Sequence, residues 1–417
     1  MRVVLAEYYV TEDRILLFLG RSDFAEPEVV VIERSRPDLR SFVAKSYTAA
    51  EGIGVEADMG LWQEFLGPLV EPLLTVADPG DLLWFVPHDV LHYVPMHALS
   101  LNGAPLIDRH PVCYAPSSSV MRYCQGKRKG SRRTALVIGD SRGDLPHARE
   151  EALSVSELFA TEPHLGPDVK KSLFLRDLDQ HDFDVIHVAC HGSFDARDPL
   201  ASRILLHNES DLTALEIFGL RLRADLVTLS ACQTAVNERR PGDELIGLTR
   251  ALIFAGTPSA VVSLWAVDDM STGFLMRTFY RLLLDPAQVS KAQALREAQR
   301  ELRHASVQTL LGDCDRRLAT AADEGRRSWL RLERADILTA GFDFEAACGA
   351  YEEELARTEA ACPGADRLLV DRLRRTLKLL RFQARHASAL GIRPAPDRRP
   401  FEHPYYWAPF LLVGDWK

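Results

Sequence analysis

The sequence predicts an α/β fold: a mostly parallel central sheet with helices on both faces, carrying a helical insertion. Three observations predict it. Between residues 135 and 265, short near-continuous apolar runs alternate with helix-periodic segments, as in parallel strands covered on both faces by their crossover helices. The chain has 417 residues, 47% of them hydrophobic, enough for more than one core. From about residue 285 to 400 the composition turns to Arg, Glu and Ala at helical spacing, and no strand candidate returns until WAPFLLVG (407–414).

Taken in order, VVLAEYY, RILLFLG and EVVVIE read as three short strands separated by acidic and Gly turns. The stretch from Gly60 to Leu74 reads as a helix broken by Pro68 and Pro72. LLWFVP (82–87) is a buried strand, and the polar, basic QGKRKGSRR (125–133) is a linker. Beyond it, ALVIG (135–139) is a strand and AREEALSVSELF (148–159) a helix. KSLFL (171–175), DVIHVAC (184–190) and RILLH (203–207) read as strands, and LTALEIFG (212–219) as a helix. DLVTLSA (225–231) is a strand, ELIGLTRALIFAG (244–256) a helix and SAVVSLW (259–265) a strand. The organisation expected is a first half over 1–130, a second half over 131–304, a helical insertion over 305–400, and a terminal strand over 401–417 that returns to the second half.

The formal net charge is −9, which argues against nucleic acid as a direct partner. Seven cysteines without a CxxC pair suit a reducing cytoplasm rather than a secreted disulfide scaffold. The opening MRVVLAEYYVTEDR lacks the apolar core of a signal peptide. No run approaches the roughly 18 apolar residues of a membrane span, so a cytoplasmic protein with no membrane partner is expected. There is no GxGxxG or Walker loop, and GDSRGD (139–144) lacks phosphate-cradle spacing. His187 and His191, four apart on a strand, are roughly 13 Å apart, too far to share one metal ion. No metal and no cofactor are expected.

Two stretches share one shape. DVIHVACHG (184–192) is an apolar strand ending in His191 and Gly192, and LVTLSACQT (226–234) is an apolar strand ending in Ala231 and Cys232. In adjacent parallel strands, both side chains emerge at the carboxyl edge, where open sheets place their sites. A thiolate is the nucleophile, and an imidazole assists its formation and protonates the leaving amine. The backbone N–H groups of Gly192 and Cys232 are candidate oxyanion donors. Cys190 points to the opposite face and reads as core. Trp265 is a candidate pocket wall or a core residue. Asp268 and Asp269 are candidate pocket carboxylates favouring a basic substrate side chain, or caps of the helix that follows.

These blocks carry a resemblance. LLWFVPHDVLHYVPMHAL (82–99), LPHAREEA (145–152), DELIGLTRALIFAGTPSAVVSLWAVDD (243–269) and HPYYWAPFLLVGDW (403–416) are similar to the corresponding stretches of the caspase-like CHAT peptidases, relatives of caspases and separase. The resemblance covers nearly all of 1–305 and 403–417. It implies that His191 and Cys232 are a catalytic dyad and that the first half is a non-catalytic pseudo-caspase half. SACQT replaces the caspase QAC-x-G signature, and Cys232 follows His191 by fewer than the about 50 residues of that signature, so cleavage after Asp is not implied. The reading is a cysteine endopeptidase acting on a protein substrate bound as an extended peptide along the strand ending at Trp265. Its setting by analogy is a bacterial immune or cell-death pathway. Rival readings are a catalytically silent scaffold and a cysteine acyltransferase. The insertion lacks a tetratricopeptide signature. Its stripe of Leu368, Leu369, Leu373, Leu377 and Leu380, beside Arg372, Arg374, Arg375 and Arg381, either packs within the insertion or docks a substrate or activator protein.

Overall fold

A computed structural model describes residues 2–46, 58–193, 195, 198–209, 211–230, 244–265, 268–287, 289–361 and 367–417; residues 209, 244–246, 361, 367 and 368 enter through their backbone alone. The chain divides into two compact units, residues 1–302 with 404–417, and residues 303–403.

The first unit is built on one eleven-stranded sheet. β1 (Val3–Val10), β2 (Ile15–Arg21) and β3 (Glu28–Ile32) form an antiparallel meander. β1 and β2 alternate buried and part-exposed residues, the period of a strand with one covered face. β4 (Leu82–Val86) pairs parallel with β1. A two-strand hairpin, β5 (Ser100–Leu101) and β6 (Ala104–Pro105), lies outside the sheet. β7 (Val112–Tyr114) pairs parallel with β4. The helices of this half are α1 (Arg36–Ser46), α2 (Met59–Leu66), α3 (Leu73–Val76), α4 (Leu106–Arg109) and α5 (Ser118–Lys127).

The second half adds β8 (Ala135–Gly139), β9 (His164–Leu165), β10 (Val185–Ala189), β14 (Leu226–Leu229) and β15 (Ser259–Ser263), all parallel. β11 (Gly192–Ser193), β12 (Arg203–Ile204) and β13 (Leu212–Thr213) form a small antiparallel sheet beyond β10. The crossover helices are α6 (Pro146–Phe159), α7 (Lys171–Gln180), α8 (Ala214–Phe218), α9 (Glu244–Ala255) and α10 (Asp269–Leu283), followed by α11 (Lys291–His304). β8, β10, β14 and β15 are buried at every position, which is why they read as unbroken apolar runs. α6 lies so close to β8 that a Cβ on Gly139 would meet Ala148 O at 2.8 Å.

The expected mostly parallel sheet with helices on both faces is present, with antiparallel pairings at the β1–β2–β3 end and on one side of the seam. β16 (Phe410–Gly414), preceded by the short α16 (Pro404–Trp407), pairs antiparallel with β15 and parallel with β7. It joins the two halves into one sheet. Three local expectations are corrected. KSLFL is the start of α7, because Phe174 and Asp177 are its buried positions, and that i,i+3 spacing is helical. RILLH is a strand only at Arg203–Ile204. The linker begins later than expected, since Gln125, Gly126 and Lys127 finish α5.

The remaining linker is anchored in a buried ionic cluster. Lys291 Nζ lies 2.8 Å from Asp225 Oδ2 and 3.6 Å from Asp415 Oδ2, and all three side chains are inaccessible to solvent. Lys129 N–H donates to Asp225 Oδ1 (2.9 Å), and Arg128 Nε to Asp415 Oδ2 (2.7 Å). Burial lowers the Lys291 ammonium's pKa, and the two carboxylates oppose that shift.

In the second unit, α12 (Val307–Thr320), α13 (Glu324–Ala340), α14 (Phe344–Ala361) and α15 (Arg367–Ala389) each pack on the next. Ser306 and Asp323 cap the first two by accepting the N–H of Thr309 and Arg326. Leu373, Leu377 and Leu380 are buried against Ala335, Leu338, Ala347 and Tyr351, with Leu369 partly buried beside them. The described part of the leucine stripe therefore packs within the insertion; the side chain of Leu368 lies outside the described residues. Arg374 pairs with Glu359 and Arg381 with Glu352 on the exposed side.

Replacing Lys291 by Met leaves two buried carboxylates without their shared cation. Urea unfolding of the full chain should show a loss of about 3–5 kcal/mol.

Candidate active site

Register places three strand ends side by side. Gly139 of β8 faces Ala189 of β10, and Val188 of β10 faces Leu229 of β14. His191 follows β10 after one residue, Cys190, which is buried and whose thiol burial pushes up to about 11. Cys190 is thus a core thiol. Ser230 N–H donates to Val188 O (2.9 Å) and ends the described part of the β14 exit. Cys232 lies outside the described residues.

The His191 side chain is 12% exposed, and its Nε2 lies 2.9 Å from Asp144 Oδ1; Asp144 is 58% exposed. A carboxylate only accepts, so Nε2 carries the shared proton. Nδ1 is buried and has no hydrogen-bond partner among the described residues. The arrangement is an imidazole with one nitrogen oriented by a carboxylate and the other without a hydrogen-bond partner among the described residues.

Asp144 was missed in the sequence because GDSRGD was weighed only as a phosphate loop. It sits at the carboxyl end of β8, the same strand-end position that singled out His191. Its loop is tied to β10: Asp140, at φ +49°, donates its N–H to Ala189 O (2.9 Å), and its Oδ1 accepts the N–H of Leu145 (2.8 Å). Gly143, at φ +78°, turns the chain back toward His191.

The other expected site residues fall as follows. Gly192 is buried in β11 opposite Ile204, and Leu205 N–H donates to His191 O (2.9 Å), which fixes the backbone on both sides of the histidine. Trp265 is 2% exposed and its indole N–H donates to Tyr405 O (3.1 Å); it takes the core reading and lines no open surface among the described residues. Asp268 is the N-cap of α10, accepting the N–H of Ser271 (2.9 Å). Asp269, the next residue, has its Oδ2 3.9 Å from His147 Nε2 and a side chain 48% exposed. Protein packed against its covered side holds its carboxyl above the usual range; His147 and His191 act against that shift, and Asp268 and Glu151 reinforce it. Among the described residues no three His, Cys, Asp or Glu side chains are grouped to hold a metal ion.

One expectation about the substrate path is corrected. β15 is interior, flanked by β14 and β16, and Leu264 N–H still donates to Pro409 O (2.9 Å). No free edge runs along it for an added strand.

The architecture is an α/β one, built on a large, mostly parallel sheet with helices. The CHAT domain profile matches residues 59–415, and the chain belongs to the CHAT domain family. Similar proteins include tetratricopeptide repeat protein 28 of Mus musculus, 29% identical over 50% of this chain and 11% of that protein, and its Homo sapiens counterpart, 26% identical over 47% and 9%. This chain therefore spans a small part of those relatives. Similar solved structures include two of the Saccharomyces cerevisiae separase–securin complex. They have TM-scores of 0.38 and 0.39, 14% and 15% identity, and each covers 60% of this chain and 16% and 17% of theirs. No helix among the described residues is long and apolar enough to cross a membrane.

The two adjacent aspartates should separate by stability. Asp268→Ala removes the cap and should cost about 1 kcal/mol in thermal unfolding. Asp269→Asn should change stability by less than about 0.5 kcal/mol.

Proposed function

We propose that this chain is a cysteine endopeptidase in which His191 and Cys232 form the catalytic dyad. The observation that carries the reading is the placement of His191: one nitrogen on Asp144, the other buried and unpartnered among the described residues. His191 Nδ1 takes the thiol proton of Cys232, and the thiolate sulfur attacks the scissile carbonyl carbon. The carbonyl electron pair moves to oxygen, where the Gly192 and Cys232 N–H groups receive it. As the tetrahedral species collapses, the C–N bond breaks and the leaving amine takes the proton from His191. Water then attacks the thioester, giving its proton to His191, and the acid product leaves as the thiol is restored.

The substrate is a segment of another protein, bound as an extended peptide across the carboxyl ends of β8, β10 and β14 rather than beside β15. Asp269 is the carboxylate of the specificity pocket, since Asp268 is committed to its cap, and it favours Arg or Lys before the cut. The basic outer side of α15 in the 305–400 insertion is the docking surface for an acidic region of the substrate or an activator. The cytoplasmic, defence-type setting belongs to the same proposal. It is tested by mass spectrometry of proteins encoded beside this one, after incubation with wild type and with Cys232→Ala.

Cys232→Ala and His191→Ala should each abolish cleavage of a defined peptide without lowering the Tm. Asp144→Asn, which presents the wrong partner to Nε2, should lower kcat by about tenfold, less than for a buried triad acid because Asp144 is exposed. Wild-type turnover by Cys232→Ala would falsify the nucleophile assignment. A peptide library showing a strict requirement for Asp before the cut would remove Asp269 from the pocket. Exchange of residues 306–399 for a short Gly/Ser linker should spare peptide cleavage and impair cleavage of the protein substrate. Equal loss or equal retention of both would end the docking role.

A further inference from the structure

Beneath the strand ends lies a buried polar network that the dyad reading leaves unused. Glu151, on the sheet-facing side of α6, is 4% exposed. Its Oε2 accepts the Ser230 hydroxyl (3.2 Å), and its Oε1 lies 3.1 Å from His187 Nε2. That second contact is at ion-pair distance without hydrogen-bond alignment, and neither atom has another partner among the described residues. On its other side, His187 Nδ1 lies 3.2 Å from the Tyr280 hydroxyl, which donates to Thr228 Oγ1 (2.7 Å). His187 and Thr228 are register neighbours on β10 and β14, and Tyr280 comes from α10. The whole network is buried.

Such a set is costly in a core that apolar side chains of similar volume would fill without penalty. What it adds is direction. Apolar contacts let a helix slide over a sheet by a few tenths of an ångström at little cost, whereas a carboxylate hydrogen-bonded to one strand and at ion-pair distance from the next does not. His187 stands four residues before His191, and Ser230 two before Cys232. The same helix begins two residues after Asp144, which holds His191 Nε2.

We propose that Glu151 is a positioning residue for the reaction. Its one buried carboxylate ties the carboxyl ends of β10 and β14 to α6, and so fixes the two strand exits relative to each other and to Asp144. The proposal rests on the dyad reading and adds to it a residue that touches neither substrate nor the reacting atoms.

The test uses the full chain with Glu151→Leu, Glu151→Gln and Ser230→Ala. It reads kcat and KM on one peptide, and alkylation of Cys232 by iodoacetamide at pH 6.5 and pH 9, followed by peptide mass spectrometry. Glu151→Leu should lower kcat by about tenfold or more at unchanged KM, the scale of a sub-ångström misplacement of a base. It should slow alkylation at pH 6.5, where the thiolate depends on His191. At pH 9, where bulk base forms the thiolate, it should leave alkylation at the wild-type rate. Glu151→Gln can give an amide N–H to His187 and an amide oxygen to Ser230, and should recover most of the lost kcat. Ser230→Ala removes a single hydroxyl and should lower kcat by about threefold or more, which keeps the test decisive if Glu151→Leu does not fold. A folded Glu151→Leu, or failing that Ser230→Ala, with wild-type kcat and wild-type alkylation at pH 6.5 overturns the positioning role and leaves the dyad standing. Wild-type Cys232 alkylating no faster at pH 6.5 than the half-buried Cys348 overturns the dyad itself, and the positioning role with it.

Discussion

Lys291, Asp225 and Asp415 hold together segments that the sequence keeps far apart. Asp225 opens β14, the strand that leads to Cys232; Asp415 closes β16; Lys291 starts α11; and Arg128 and Lys129 come from the linker between the halves. A buried cation between two buried carboxylates tolerates little displacement, because each charge is desolvated and depends on the others for compensation. The cluster therefore fixes one end of β14 and β16 together, at the edge opposite the candidate site. From there the sheet carries register to the other edge, where His191 and Asp144 meet.

The two edges of the sheet differ in kind. At one, full charges are sealed from water and serve position alone. At the other, a histidine is partly exposed, one nitrogen is satisfied by a carboxylate and the other has no hydrogen-bond partner among the described residues. Between them the Glu151–His187–Tyr280–Thr228 network occupies the helix-facing side of β10 and β14. The fold thus uses polar groups wherever alignment between elements matters, and apolar packing elsewhere. Local rules agree with this economy: Asp268 caps α10, and Thr213 and Glu216 form a capping box on α8.

Much of the fold was legible because its strands are buried on both faces, so ALVIG, DVIHVAC and SAVVSLW stand out as unbroken apolar runs. The same signal misled at KSLFL, since five residues are too few to separate a buried strand from a helix turn. β7 and α1 gave weaker patterns, the one only three residues long and the other buried at Leu39 and Val43 alone. The strand-end position of His191 could be read from the apolar run that precedes it. Asp144 could not be read that way, because its relation to His191 depends on β8 and β10 being neighbours, a fact of topology rather than of local pattern. The interior place of β15 was hidden for the same reason. Its second neighbour, β16, is supplied from far along the chain.

That last pairing has a consequence for how the molecule is made. β15 leaves the ribosome well before β16 and must wait for α10, α11 and the four helices of the insertion before β16 can reach it. Until then the central sheet exists as two separate parts, one mixed and one parallel, each with an open inner margin. Pairings of such sequence separation are slow to form, and exposed strand margins recruit other chains. The helical insertion, whose contacts run between successive helices, folds quickly by comparison. Joining of the halves therefore follows synthesis of the insertion, and any activity that needs the complete sheet is withheld until β16 has been translated.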